Sequence, residues 1–201
     1  AIASASTSTD AAAARDRLEL GAGLQIGWIG SLSSEKGPAV QLEAMAQLAD
    51  LDVTLSFIGD GPDRTALTQR AEQRGIAQHV RFHGRVRDAA RFLRAFDVVA
   101  LSSRTEGTPM VILEAMSSGV PIVATRVGGV PDMLSSQEAM LVPSEDPTAL
   151  AGALRSALTE PAASAERASR AHARLIAEFD TDAWLAQYET LYRSIQPASA
   201  T

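Results

Sequence analysis

Short apolar runs alternate with helical patterns about six times along the 201 residues, and this alternation constrains the fold more than any other feature. Leu24 to Ile29, Val53 to Ile58, His79 to Gly84, Asp97 to Leu101, Val120 to Ala124 and Ala139 to Val142 read as strands, most of them bounded by Gly, Pro or polar residues. Pro38 opens a helix whose apolar side holds Val40, Leu42, Ala44, Met45 and Leu48. Further helical segments run from the turn Gly59-Asp60-Gly61-Pro62 to about Arg74, where Gly75 caps the segment, from Val86 to Ala95, and from Pro109 to Gly119. Pro147 to Leu158 is amphipathic, and Pro161 to Ile195 reads as two helices broken near Asp180-Thr181-Asp182. Strands alternating with helices mark a parallel sheet covered by helices, so the predicted fold is a Rossmann-like, doubly wound α/β sheet of about six strands. There is no repeat of solenoid period.

Ligands of such sheets bind beyond the carboxyl ends of the strands. The loops at those ends are Gly30 to Gly37, Gly59 to Pro62, Gly84 to Val86, Ser102 to Pro109 and Thr125 to Pro131, and the unusual residues of the chain fall in them. The loop from Gly30 to Gly37 leads into a helix, whose free N–H groups favour an anion, and Lys36 adds a full positive charge. It lacks the Gly-Lys-Ser/Thr ending of a Walker loop and the three glycines of the dinucleotide pattern. Taken alone, a lysine such as Lys36 is more often a solvated surface residue.

Two carboxylates flank the start of the helix after the fourth strand. Glu106 lies in the loop, and Glu114 lies inside the helix between apolar neighbours. A buried carboxylate is costly unless hydrogen-bonded, so Glu114 either has a structural partner or serves a ligand. Pro109 is expected in the first helical turn, where its missing N–H is no loss, and Gly119 ends the helix.

Composition excludes several classes. A net charge of −6 and a pI near 5.1 argue against a dedicated nucleic-acid surface. With no cysteine there is neither a disulfide framework nor a Cys metal site, which fits a cytoplasmic origin. No apolar run approaches the roughly 18 residues of a membrane helix, so any membrane contact is expected to be peripheral, at the inner face. His79, His83 and His172 have no metal-ligand spacing, so no metal is expected. A nucleophile elbow, Gly-x-Ser-x-Gly, is also missing.

The composite motif has a family resemblance. Glu106 and Glu114 have seven residues between them, followed by Ser118-Gly119-Val120-Pro121 and then Val127-Gly128-Gly129-Val130-Pro131. This resembles the signature of retaining glycosyltransferases of family 4, which have a GT-B fold. The loop from Gly30 to Gly37 resembles the family's Gly-Arg-Leu-x-x-Glu-Lys-Gly segment, whose Arg and Lys hold the donor diphosphate. Ser31 stands in place of that Arg, and Arg104 and Arg126 are candidates to compensate.

The resemblance implies the donor-binding half of such an enzyme, with Glu106 and Lys36 catalytic. Donor binding would then involve Gly30, Ser31, Lys36, Arg85, Val86, Glu106, Gly107, Thr108, Pro109, Met110 and Glu114. The implied substrate is a nucleoside diphosphate sugar, with no further cofactor, and the implied partner is an N-terminal acceptor domain of the same enzyme. The expected organisation is a linker remnant with the end of a helix over 1–23, a nucleotide-sugar-binding domain over 24–178, a helix crossing to the acceptor domain over 179–196, and a tail over 197–201. The first residue is Ala rather than Met, which suggests a fragment or processed chain, expected to be inactive alone. Two alternatives remain: a sugar-nucleotide epimerase-like enzyme on the same fold, slightly favoured by Ser31, and a non-catalytic nucleotide-binding module.

Overall fold

The computed structural model describes residues 11–179. The expected closing helix around Trp184, Tyr188 and Tyr192 and the tail lie outside the described residues.

Six strands form one sheet: β1 (Leu24–Ile29), β2 (Val53–Ile58), β3 (Val80–Gly84), β4 (Val98–Leu101), β5 (Ile122–Thr125) and β6 (Met140–Val142). Every neighbouring pair is parallel, in the order β3-β2-β1-β4-β5-β6. The α/β Rossmann-like reading therefore holds, and its strands match the expected positions within two residues at each end. The helices are α1 (Ala11–Arg17), α2 (Pro38–Ala46), α3 (Arg64–Gln73), α4 (Met110–Ser118), α5 (Val130–Met133), α6 (Pro147–Thr159) and α7 (Pro161–Glu178).

Both faces of the sheet are covered, so the central strands are apolar on both sides rather than alternating with polar residues. Along β1, β4 and β5, Ile26, Trp28, Val98, Ala100 and Val123 meet Leu42 and Met45 of α2 and Leu150 and Leu154 of α6 in one core. The intervening Val99, Leu101, Ile122 and Ala124 meet Ile112 and Met116 of α4 and Leu175 of α7 in another. The period of two along each strand thus sorts successive side chains between two cores. Trp28 and Phe57 pack edge to face at 5.2 Å between ring centroids in the first core. Gln41 of α2 is also fully buried, and neither its amide oxygen nor its nitrogen has a partner among the described residues.

Three local expectations need correction. The segment after β3 is a 3₁₀ helix over Ala89–Ala95 rather than a helix from Val86. Asp88 takes a left-handed φ of 53°, so regular helix cannot run through it. Pro109 is not in the first turn of α4 but is its N-cap, extended at φ −69° and ψ 110°. Residues 130–133 form the short helix α5, with Pro131 at its start, where only a connection was expected. Among the described residues no helix is long and apolar enough to cross a membrane.

Strand order now fixes where a site can be. The chain builds outward from β1 through β2 to β3, then returns to place β4 on the other side of β1. The loops after β1 and β4 therefore leave the sheet in opposite directions and open a crevice between them, the usual ligand position in such sheets.

Candidate functional site

The two loops at this crevice are joined through their backbones. After β1, Ser31 is exposed, a 3₁₀ turn spans Ser34–Lys36, and Gly37 turns the chain into α2 with φ 63°. A Cβ on Gly37 would lie 2.1 Å from the Ser102 carbonyl oxygen, so only glycine allows this approach. Ser102 is fully buried; its hydroxyl donates to the Gly37 carbonyl at 2.8 Å and accepts the Trp28 indole N–H at 3.0 Å. The Arg104 N–H donates to the Glu35 carbonyl at 2.8 Å.

This joining brings together two residues 70 positions apart. Lys36 Nζ lies 2.8 Å from both carboxylate oxygens of Glu106. The Glu106 side chain is 5% exposed and that of Lys36 is 35% exposed. Ser103, fully buried, donates its hydroxyl to Glu106 Oε1 at 2.6 Å. The Ser103 carbonyl in turn accepts Thr125 Oγ1 at 2.7 Å and Ser144 Oγ at 3.3 Å, from the ends of β5 and β6. Gly128 secures the backbone of Glu106 from the other side. It has φ 48°, and a Cβ there would stand 1.8 Å from the Glu106 carbonyl oxygen. That same oxygen accepts the Gly129 N–H at 3.2 Å. Loops after β1, β4, β5 and β6 thus converge on one Lys–Glu pair.

The helix that starts here is left open. No side chain caps the N-terminus of α4 or of α2. The first N–H groups of a helix have no partner inside it, so Met110 and Val111 of α4 offer donors at the positive end of a dipole, whereas at α2 Pro38 has no N–H and Val40 and Gln41 already donate to the Gly37 carbonyl. Gly107 and Thr108 are exposed, and Met110 is 49% exposed. Glu114 sits one turn into α4, half-buried, with no hydrogen-bond or ion-pair partner among the described residues. Burial alone pushes its carboxyl up from the usual value of 4.5.

The remaining sequence candidates are spread along the same edge. Gly30 follows β1, whereas Arg85 and Val86 follow β3, two strands away and hence about 10 Å across the sheet. Arg85 is exposed and Val86 partly buried. Arg104 is engaged by Glu145 at 3.0 Å, and Arg126 is exposed at the end of β5. Among the described residues no group of three or more His, Cys, Asp or Glu gathers as it would around a metal.

Sequence reasoning found both charged residues but missed that they are partners. It also missed Ser102, Ser103, Thr125 and Ser144. The signal available was a set of hydroxyl residues directly at or after the ends of apolar strands, where a parallel sheet places them side by side.

Comparison with known proteins agrees with this architecture. The sequence model of a family described as Glycosyl transferases group 1 matches residues 23–160. A D-inositol 3-phosphate glycosyltransferase from Corynebacterium glutamicum (strain R) is 35% identical over 169 residues, covering 77% of this chain and 40% of that protein. The chain thus spans about 40% of the length of such curated relatives. Anabaena HepE, solved in complex with UDP and glucose, superposes with a TM-score of 0.86 at 26% identity, over 92% of this chain and 52% of HepE. The C-terminal domain of a group 1 glycosyl transferase, LpcC from Francisella tularensis, shares the fold at a TM-score of 0.76 and 22% identity, over 84% of this chain and 92% of that one. With its six-stranded parallel sheet and the matching family model, the chain belongs to the group 1 glycosyl transferases.

Proposed function

We propose that this chain is the donor-binding half of a retaining glycosyltransferase of family 4, acting on a nucleoside diphosphate sugar. The observation that carries the proposal is the Lys36–Glu106 pair, held in the β1/β4 crevice beside two uncapped helix N-termini. Departure of a nucleoside diphosphate leaves charge on phosphate oxygens, which fixed donors stabilise best when they are already in place. Lys36 supplies a cation there, and the amides of Gly107, Thr108 and Met110, the last of these opening α4, supply N–H groups. Glu106 offers oxygens to the hydroxyls of the transferred sugar. Glu114, half-buried and without an internal partner, is suited to accept hydrogen bonds from ribose hydroxyls. Gly30 and Ser31 line the diphosphate side, and Arg85 and Val86 stand where a base would lie, about two strand spacings away. HepE, with UDP and glucose in its own structure, supports a sugar nucleotide as ligand. In this reading a second domain binds the acceptor, and the protein works in the cytoplasm.

The test is calorimetric titration of the chain with UDP, GDP, ADP and their common sugar derivatives. One nucleotide should bind, with the affinity unchanged by EDTA. Lys36→Ala should weaken it at least about tenfold, as expected for a lost charged hydrogen bond, while sparing the bare nucleoside. Failure to bind any of these ligands would overturn the proposal. In an enzyme carrying both domains, NMR of the first-formed product should show the anomeric configuration of the donor.

A further inference from the structure

Lys36 and Glu106 are each other's closest charged partners, and this has a consequence for release of the leaving group. We infer that Glu106 competes with the diphosphate for Lys36, so that it weakens binding of the sugar-free nucleotide and assists its departure. The inference rests on the donor-site reading above and adds a role to it.

Three observations carry it. Both Glu106 oxygens lie 2.8 Å from the ammonium group, so the carboxylate faces the cation squarely rather than grazing it. The two ends of the pair are held unequally. Glu106 is 5% exposed, receives the Ser103 hydroxyl at 2.6 Å, and has its backbone pinned by Gly128 and Gly129. Lys36 is 35% exposed on a flexible four-carbon stem. The partner that moves is therefore the lysine, and the carboxylate stays. Finally, a diphosphate that reaches Lys36 also comes within a few ångströms of a fixed negative charge on a side chain only 5% exposed, where like charges repel more strongly than in water.

The sugar changes this balance. Its hydroxyls donate to Glu106, satisfy the carboxylate, and leave Lys36 free for the phosphates. Once the sugar has been transferred, Glu106 loses those donors and regains Lys36. The intact donor is then favoured over the spent nucleotide by a fixed element of the site, with no lid required.

Glu106→Gln tests this. The amide is isosteric and still accepts the Ser103 hydroxyl, but it no longer holds the ammonium as a charge. Titrating UDP, GDP, ADP, UDP-glucose, GDP-mannose and ADP-glucose should identify the nucleotide that binds. Glu106→Gln should then tighten the free diphosphate by about threefold or more and weaken its sugar derivative, reversing their order of affinity. Lys36→Ala should weaken both. If wild-type protein binds nucleotide and Glu106→Gln leaves the free diphosphate unchanged or weaker, competition is wrong and the donor-site reading stands. If wild-type protein binds none of the six, both fall together.

Discussion

Glu114 and Glu138 are both partly buried carboxylates, and their acidities move in opposite directions. Burial raises both, but at Glu138 it is outweighed by the Ser135 hydroxyl at 2.6 Å, the Ser135 N–H at 2.8 Å and the Arg174 guanidinium at 3.5 Å, so its pKa falls. At Glu114 nothing offsets burial, and the pKa rises. Asp146 caps α6 by accepting the Ala149 N–H at 2.8 Å, whereas α2 and α4, like α3, α5 and α7, start without a side-chain cap. At Glu138 and Asp146 the chain supplies the partners itself. Around residues 107–114 it leaves donors and an acceptor available. A buried polar group without a partner costs stability, and under the proposed function a ligand is the partner that Glu114 lacks.

The strongest way to break this contrast is to remove the backbone approach that builds the open region. Gly128→Ala would place a Cβ against the Glu106 carbonyl at a left-handed φ, costing about 2–4 kcal/mol in urea unfolding and abolishing nucleotide binding. If binding survives, the Glu106 loop is not held in the manner described. Asp146→Ala tests the self-satisfied region. It should cost about 1 kcal/mol by loss of a cap and leave nucleotide affinity unchanged. A change in affinity would show that the two regions are not separate.

The smallest effect concerns Glu114, and its sign is specific. The folded pKa lies above the unfolded value of 4.5, so the group's relative stabilisation is fully present below 4.5 and is lost as pH rises through the folded pKa. Glu114→Gln should therefore raise the melting temperature at pH 7, by an amount worth less than about 1 kcal/mol for a half-exposed group, with the gain vanishing near pH 4. The same substitution should weaken nucleotide. An equal gain at both pH values would mean that Glu114 has no charge-dependent cost.

Much of this could be read along the chain. β1 and β2 fall where the apolar runs predict them, and Pro38, Pro147 and Gly119 bound their helices as their backbone preferences require. Such features depend on neighbours a few residues apart. The helix expected from Val86 failed because Asp88 adopts a left-handed turn and the following segment tightens against the sheet with Phe92, Leu93 and Ala95 buried. Propensity has no access to that packing.

The sequence by itself determined the alternating elements, the parallel sheet they must form, and the identity of the charged residues on its strand-end loops. Local pattern suffices for these because side-chain period and backbone preference act over one element at a time. Only the tertiary structure decided that Lys36 and Glu106 pair across 70 residues, that Ser103, Thr125 and Ser144 hold the carboxylate side, and that Gly37 and Gly128 are glycines because carbonyls of the loop after β4 crowd them. Those facts follow from β4 returning beside β1 and from loops meeting at one sheet edge, where contacts depend on distance in space and not along the chain.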